Sequence, residues 1–401
     1  MIKKYRTSIL NYEPIFLYEI FNPDMSSTLP ISNSKPHYEI LDGLRGVAAI
    51  MVVFFHIFEV FSNGDHTKQL INHGYLAVDF FFMLSGYVIS YAYDNRWGQM
   101  TLKDFFIRRL IRLQPMIIIG SVVGAVLFYF QQTEGLGWSG ISTTPIWKLL
   151  LVMFIGMTVI PVGKGLDIRG WNEMHPLNGP AWSLFYEYIA NIFYALILRK
   201  VSKVVLGILV LISAAFTIHY AFTNPNGDII GGWSIDDARQ LRIGFTRLAF
   251  PFLMGIFLAR TVKLQLTKNA FFTTSILLIV IFAIPRLGGN DAHWQNSLYE
   301  CFALMILFPV VILLGAGGKI IHKKTNQFCK WLGDISYPIY ITHFPLAYTY
   351  YAWVANGKHT LEEAQSWLFG VLTVAISIIM AYVYMRFYDV PVRKWLVKKF
   401  Q

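Results

Sequence analysis

LDGLRGVAAIMVVFFH, residues 41–56, is an almost unbroken apolar run that opens on Asp42 and Arg45 and closes on His56. Extended to residues 40–62, it has the length a helix needs to cross ~30 Å of hydrocarbon. Further apolar runs follow at 75–94, 114–130, 149–160, 180–198, 204–222, 243–259, 270–285, 298–318, 331–351 and 366–387. The run at 149–160 has only 12 residues between Lys148 and Pro161, which suits a re-entrant or interfacial helix better than a span. The expected fold is an all-α polytopic membrane bundle of about ten transmembrane helices plus that one short helix.

Composition points the same way. The 401 residues are 55% hydrophobic and 14% charged, with mean hydropathy +0.48, so lipid is the solvent for most of the chain. The net charge of +11 sits in short clusters at the ends of apolar runs rather than in one stripe. That pattern argues against a nucleic-acid partner and for a membrane-orientation signal. With ten spans and a cytoplasmic N-terminus, 24 Lys and Arg fall inside and 8 outside. Counting the short run as a span would instead put Arg199, Lys200 and Lys203 outside, against the positive-inside rule. Both termini are therefore expected in the cytoplasm. Residues 1–39 form a cytoplasmic or interfacial arm, 40–390 the transmembrane domain and 391–401 a basic tail. The first forty residues lack the order of a cleaved signal peptide, so the first span also serves as the insertion signal. Cys301 and Cys329 offer neither a Cys-x-x-Cys nor a zinc spacing, and no disulfide or metal is expected.

An ionisable group inside a span costs about 2.5–3.5 kcal/mol near the centre, so each needs a partner, a water-filled cavity or a function. At 1.5 Å per residue, His56 lies ~16 Å from the cytoplasmic end of its helix and Glu187 ~18 Å. Arg247 and His343 both come out near ~20 Å. A lone histidine is often satisfied by a backbone carbonyl, and an Arg–Glu pair can merely join two helices. Four such groups at one depth point to a polar chamber.

Further segments carry information beyond hydropathy. Residues 74–90 read GYLAVDFFFMLSGYVIS, with Asp79 and Ser85; 105–115 read FFIRRLIRLQP, with Arg108, Arg109 and Arg112. Residues 179–187 read GPAWSLFYE, ending on Glu187, and 331–343 read WLGDISYPIYITH, ending on His343. Taken in order with residues 41–56, these segments resemble the integral-membrane acyltransferase-3 family over about residues 38–390. No C-terminal hydrolase-like segment is visible, so the chain resembles a stand-alone member.

The resemblance implies an enzyme that moves an acetyl or other short acyl group from cytoplasmic acyl-CoA to a hydroxyl. The acceptor would be a surface glycan, a lipid-linked sugar or another exported molecule, and the location a bacterial inner membrane. Acyl-CoA would be a substrate, with no cofactor permanently bound. The family pattern makes His56 the essential histidine, Arg45 its motif partner and Glu187 a further functional acid. In physical terms, His56 supplies the base that deprotonates the hydroxyl, and Glu187 would fix its tautomer. Arg108, Arg109 and Arg112 suit the phosphates of coenzyme A, or else only enforce topology. Asp79 either binds acceptor or caps its helix; Arg247 and His343 join it as candidate substrate contacts, with a structural hydrogen bond the plain alternative for His343. Ser85 with Gly86 suits close helix approach rather than a nucleophile. Trp171, Trp182 and Trp233 fit an outer aromatic belt or a sugar-stacking surface. The rival function is a secondary transporter, which a midplane ionisable site also fits; thiol release from acetyl-CoA would separate the two.

Overall fold

The apolar runs fold as helices, and local chemistry sets several of their ends. The computed structural model describes residues 37–400 apart from 63, 64, 66, 139–142 and 290, and no β-strand forms among the described residues. The N-terminal arm thus lies, but for its last residues, outside the described part. The first helix, α1, spans Glu39–Glu59 and α2 spans Ala77–Tyr93. Helix α3, Leu102–Phe128, opens on a capping box in which Thr101 Oγ1 accepts from the Asp104 amide and Asp104 accepts from the Thr101 amide. The short apolar run becomes α4, Ile146–Gly156; its 11 residues cover only ~16 Å. Helices α5 (Ala181–Leu196), α6 (Lys203–Thr223) and α7 (Ala238–Thr261) follow, the last two capped by Ser202 and Asp237. Next come α8 (Ala270–Ala283), α9 (Trp294–Ala316, with a π turn at Ala303–Leu307), α10 (Lys323–Gly357) and α11 (Ala364–Tyr384). The expected basic tail is helical as α12, Val390–Phe400.

Among the described residues, eight helices are long and apolar enough to cross a membrane. Two of the ten expected spans differ, each for a local reason. Asn269, in the left-handed region at φ 51°, starts α8, and Pro285 follows its end, leaving 14 helical residues. Helix α10 has ample length at 35 residues, but Asp334, Ser336, Tyr337, Tyr340, Thr342 and His343 make its middle polar. The outward faces carry exposed apolar side chains such as Leu211, Phe216 and Ile276, as a lipid-facing surface requires.

Helix α10 is the hub, packed on α1, α3 and α11, while α2 lies along α7. Both contacts close on glycine. A Cβ on Gly46 would meet the Leu332 backbone 2.5–2.7 Å away, and one on Gly255 would run into the Met83 carbonyl. Pro345 inside α10 has no N–H for the carbonyl four residues earlier. Asn178 Nδ2 donates to that carbonyl, Ile341 O, at 2.8 Å, so the residue just before the GPAWSLFYE segment repairs the helix that carries His343.

Candidate active site

His56 sits near the end of α1, one turn before the chain leaves the helix. Its Nδ1 lies 2.8 Å from Glu59 Oε2. A carboxylate accepts, so Nδ1 carries the proton and Nε2 keeps a free lone pair. The ring stacks on His343, with centroids 5.5 Å apart and planes at 29°, and meets the edge of Phe344 at 4.5 Å. Tyr351 Oη lies 2.6 Å from the His56 carbonyl oxygen and 2.9 Å from Glu59 Oε2, its one proton shared between these two acceptors, so it ties α10 to the backbone of His56 and to the acid. His343 is fully buried; its Nδ1 donates to Ile339 O at 3.0 Å, and its Nε2 has no partner among the described residues. One nitrogen thus makes the structural bond, while the other is a buried acceptor beside His56.

A cavity of about 130 Å³ lies between α1, α2, α3, α5 and α10, lined by Arg45, Arg109, Arg112, Ser85, Glu187, Ser336 and Tyr340 among others. Arg45 Nε donates to Ser336 Oγ at 2.8 Å, and its Nη2 pairs with Asp42 at 3.0 Å. Arg109 pairs with Glu187 at 2.7 Å. Arg112 has no ion-pair or hydrogen-bond partner among the described residues, so its guanidinium is the one left for a ligand. Arg108 does not line the cavity, and its Nε is buried without a partner among the described residues. Rings connect the two regions: Phe81 and Tyr340 line the cavity 5.4 Å apart, Tyr340 is 6.0 Å from His343, and His343 stacks on His56.

The structure separates other residues that the sequence suggested together. Among the described residues, the Glu187 side chain bonds Ser85 Oγ and Arg109, both at 2.7 Å, and not His56. A nearby guanidinium claims that carboxylate, and His56 finds its acid one turn along its own helix. Asp79 and Arg247 pair with each other. Arg247 donates to both Asp79 oxygens, at 2.7 and 3.3 Å on Oδ2 and 3.3 Å on Oδ1. It also donates to Gly231 O and Tyr75 O, with Trp182 5.1 Å from the guanidinium. Glu59 and Tyr351 were missed by sequence reading, although the i, i+3 spacing of His56 and Glu59 was a usable signal.

Outside the helices, the 157–180 loop packs on α10 near His56. Arg169 lies 3.5 Å from the Tyr348 ring centre and 4.6 Å from that of Trp138, and its Nη2 donates to Gln131. Trp171 packs on Trp138 at 4.8 Å, and Tyr348 Oη donates to Glu173 Oε2 at 2.5 Å. Burial, the largest influence, pushes the Glu173 carboxyl up from an ordinary 4.5 to about 7. The folded loop therefore holds this proton more tightly than the unfolded chain does. Its stabilising effect is complete below about pH 4.5 and is lost as pH rises to about 7, on the order of 3 kcal/mol in all. Amide exchange across residues 160–175, corrected for intrinsic rate, should quicken over that window, and Glu173→Gln should flatten the response. Protection that does not change with pH in the unaltered protein would contradict this assignment.

A family model described as an acyltransferase domain matches residues 38–386. The chain is 26% identical over 390 residues to the peptidoglycan O-acetyltransferase OatA of Listeria monocytogenes, covering 90% of this chain and 56% of that protein. A Staphylococcus aureus relative is 22% identical over 376 residues, 89% of this chain and 58% of its own length. Protein 2 in the picA locus of Rhizobium radiobacter is 32% identical over 177 residues, 41% of this chain and 85% of that protein. The chain thus spans little more than half the length of the first two relatives. No solved structure matches it.

Proposed function

Since the chain belongs to the acyltransferase family whose model covers nearly all of it, we propose that it transfers a short acyl group from cytoplasmic acyl-CoA to a hydroxyl presented from outside. The observation that carries this reading is His56, with Nδ1 committed to Glu59 and Nε2 without a partner among the described residues, joined by rings to a cavity that holds three arginines. The donor phosphates bind at the arginine end, with Arg112 the free guanidinium and Arg45 beside it. Pantetheine, about 15–20 Å when extended, carries the thioester inward along Tyr340. The acceptor hydroxyl attacks the thioester carbonyl as His56 Nε2 takes its proton. The C–O bond forms, the C–S bond breaks, and the imidazolium returns the proton to the departing thiolate. Both substrates are present together, and no acyl-enzyme is required. The acceptor we favour is a glycan hydroxyl, the class that the name of the Listeria relative gives for that protein.

Acetyl-CoA supplied to the purified protein with a glycan acceptor should release thiol. Arg112→Ala should raise the KM for acetyl-CoA about tenfold to a hundredfold, the worth of one hydrogen-bonded charge contact, and leave the acceptor KM nearly unchanged. An unchanged donor KM would remove the arginines from the donor site.

We place both termini in the cytoplasm on the Lys and Arg count, which makes residues 131–179 extracytoplasmic. Gln132 and Lys164 are both exposed. Single cysteines at these positions, in a background without Cys301 and Cys329, should both react with an impermeant maleimide added from outside. Labelling at 132 alone would mean that α4 crosses.

A further inference from the structure

We propose that Glu59 is the positioning residue of the transfer reaction, holding His56 as a base of one tautomer and stabilising the imidazolium it becomes. The proposal rests on the reading of His56 as the base. Glu59 lies three residues past His56, one turn on the same helix face, and its Oε2 is 2.8 Å from Nδ1. Two further contacts make this more than an incidental surface pair. Tyr351 Oη shares its one proton between the same carboxylate oxygen, at 2.9 Å, and the His56 carbonyl, at 2.6 Å, so one phenol on α10 anchors the acid against the backbone that carries the base. Glu59 is also the last residue of α1, where Ser62 Oγ donates to its carbonyl at 2.8 Å and closes the helix end.

With Nδ1–H held by a carboxylate, Nε2 is the only nitrogen able to take a proton. Proton arrival there places a positive ring 2.8 Å from a negative oxygen. Among the described residues, the charged and titratable groups facing this pair include His343 and Tyr351 from α10 and Glu173 from the 157–180 loop. None of them bonds His56 Nδ1, and Tyr351 donates rather than accepts at the Glu59 oxygen. Among the described residues, Glu59 is therefore the group placed to fix the tautomer.

The test compares Glu59→Gln, Glu59→Asp and His56→Ala in the full-length protein, with acetyl-CoA as donor and transfer followed from pH 5 to 9. Glu59→Gln should lower kcat by about 10²–10⁴, the range seen where an orienting acid or a positioned base is lost. The KM for acetyl-CoA should stay within about twofold. The acidic limb of kcat should move to lower pH, because an imidazolium without its carboxylate gives up its proton more readily. Glu59→Asp should recover part of the rate and keep the limb near its original position. A Glu59→Gln protein with kcat within about threefold and an unmoved limb overturns the proposal. So does a loss of rate that tracks a loss of donor binding, or one that Glu59→Asp does not relieve at all. Should Glu59→Gln fail to fold, Glu59→Asp decides alone, since a shifted limb with a carboxylate still present contradicts the assignment. Failure of the parent reading looks different: His56→Ala would then remain active whatever Glu59 does.

Discussion

His56→Ala should reduce acyl transfer by about 10²–10⁴ and leave acetyl-CoA binding within a few fold, because the variant loses the proton acceptor and keeps the arginine-lined cavity. The separation of the two effects follows from geometry. His56 does not line the cavity, and its contacts among the described residues include Phe55, Glu59, Tyr351, His343 and Phe344. Truncation also unstacks His343, but Ile339 O still holds the Nδ1 of that ring. Two measurements are needed: initial rates over a grid of both substrates, and donor affinity at equilibrium. Intersecting rate plots for the unaltered enzyme support direct attack, whereas parallel plots would point to an acyl-histidine. Near-normal transfer by His56→Ala would remove this histidine from the chemistry and dismantle the proposed mechanism.

Asp79→Ala and Arg247→Ala should each cost about 3–5 kcal/mol of stability, since each leaves an uncompensated charge in the interior. Asp79 is fully buried, Arg247 is 2% exposed, and the guanidinium also donates to Tyr75 O and Gly231 O, so water has no ready access to either survivor. The double replacement Asp79→Leu with Arg247→Met should recover much of the loss, because removing both charges removes the desolvation cost. Denaturant unfolding in detergent reads the singles and the double on one scale. The result also decides between a substrate contact and a structural ion pair for Asp79. An Asp79→Ala protein of undiminished stability with a raised acceptor KM would make Asp79 a substrate contact and not half of a structural pair.

What could be read ahead of the structure follows from which interactions are local. Helix positions were legible because crossing hydrocarbon imposes a length, and α4 was legible as a non-spanning helix for the same reason. Helix α8 ends two residues short of the run at 270–285, because Asn269 and Pro285, not hydropathy, end it. The site was read by comparing depths between helices, which brought forward His56 and His343, and these do stack. The same arithmetic puts Asp79, seventeen residues before Arg96, at ~25 Å and Arg247 at ~20 Å, in different layers, yet they pair. A guanidinium on a long stem covers that difference, and Cα depth cannot register it. Depth also drew attention to Glu187 and away from Glu59, the acid one turn from the base. Which cation claims Glu187 depends on how α3 packs on α5, and no spacing in the sequence states that.

The brevity of α8 has a consequence outside the protein. Fourteen residues offer ~21 Å of helix, and Phe272, Ile276, Ile279 and Val280 turn outward along it, 42–62% exposed. Undisturbed hydrocarbon is ~30 Å deep, so acyl chains beside this helix must shorten by tilting or disordering, at a fraction of a kcal/mol per Å of mismatch. A helix this short is therefore expected to thin the bilayer on one flank of the molecule. Short-chain lipids fill that flank with the least distortion, which makes membrane thickness a variable in any reconstitution of this enzyme.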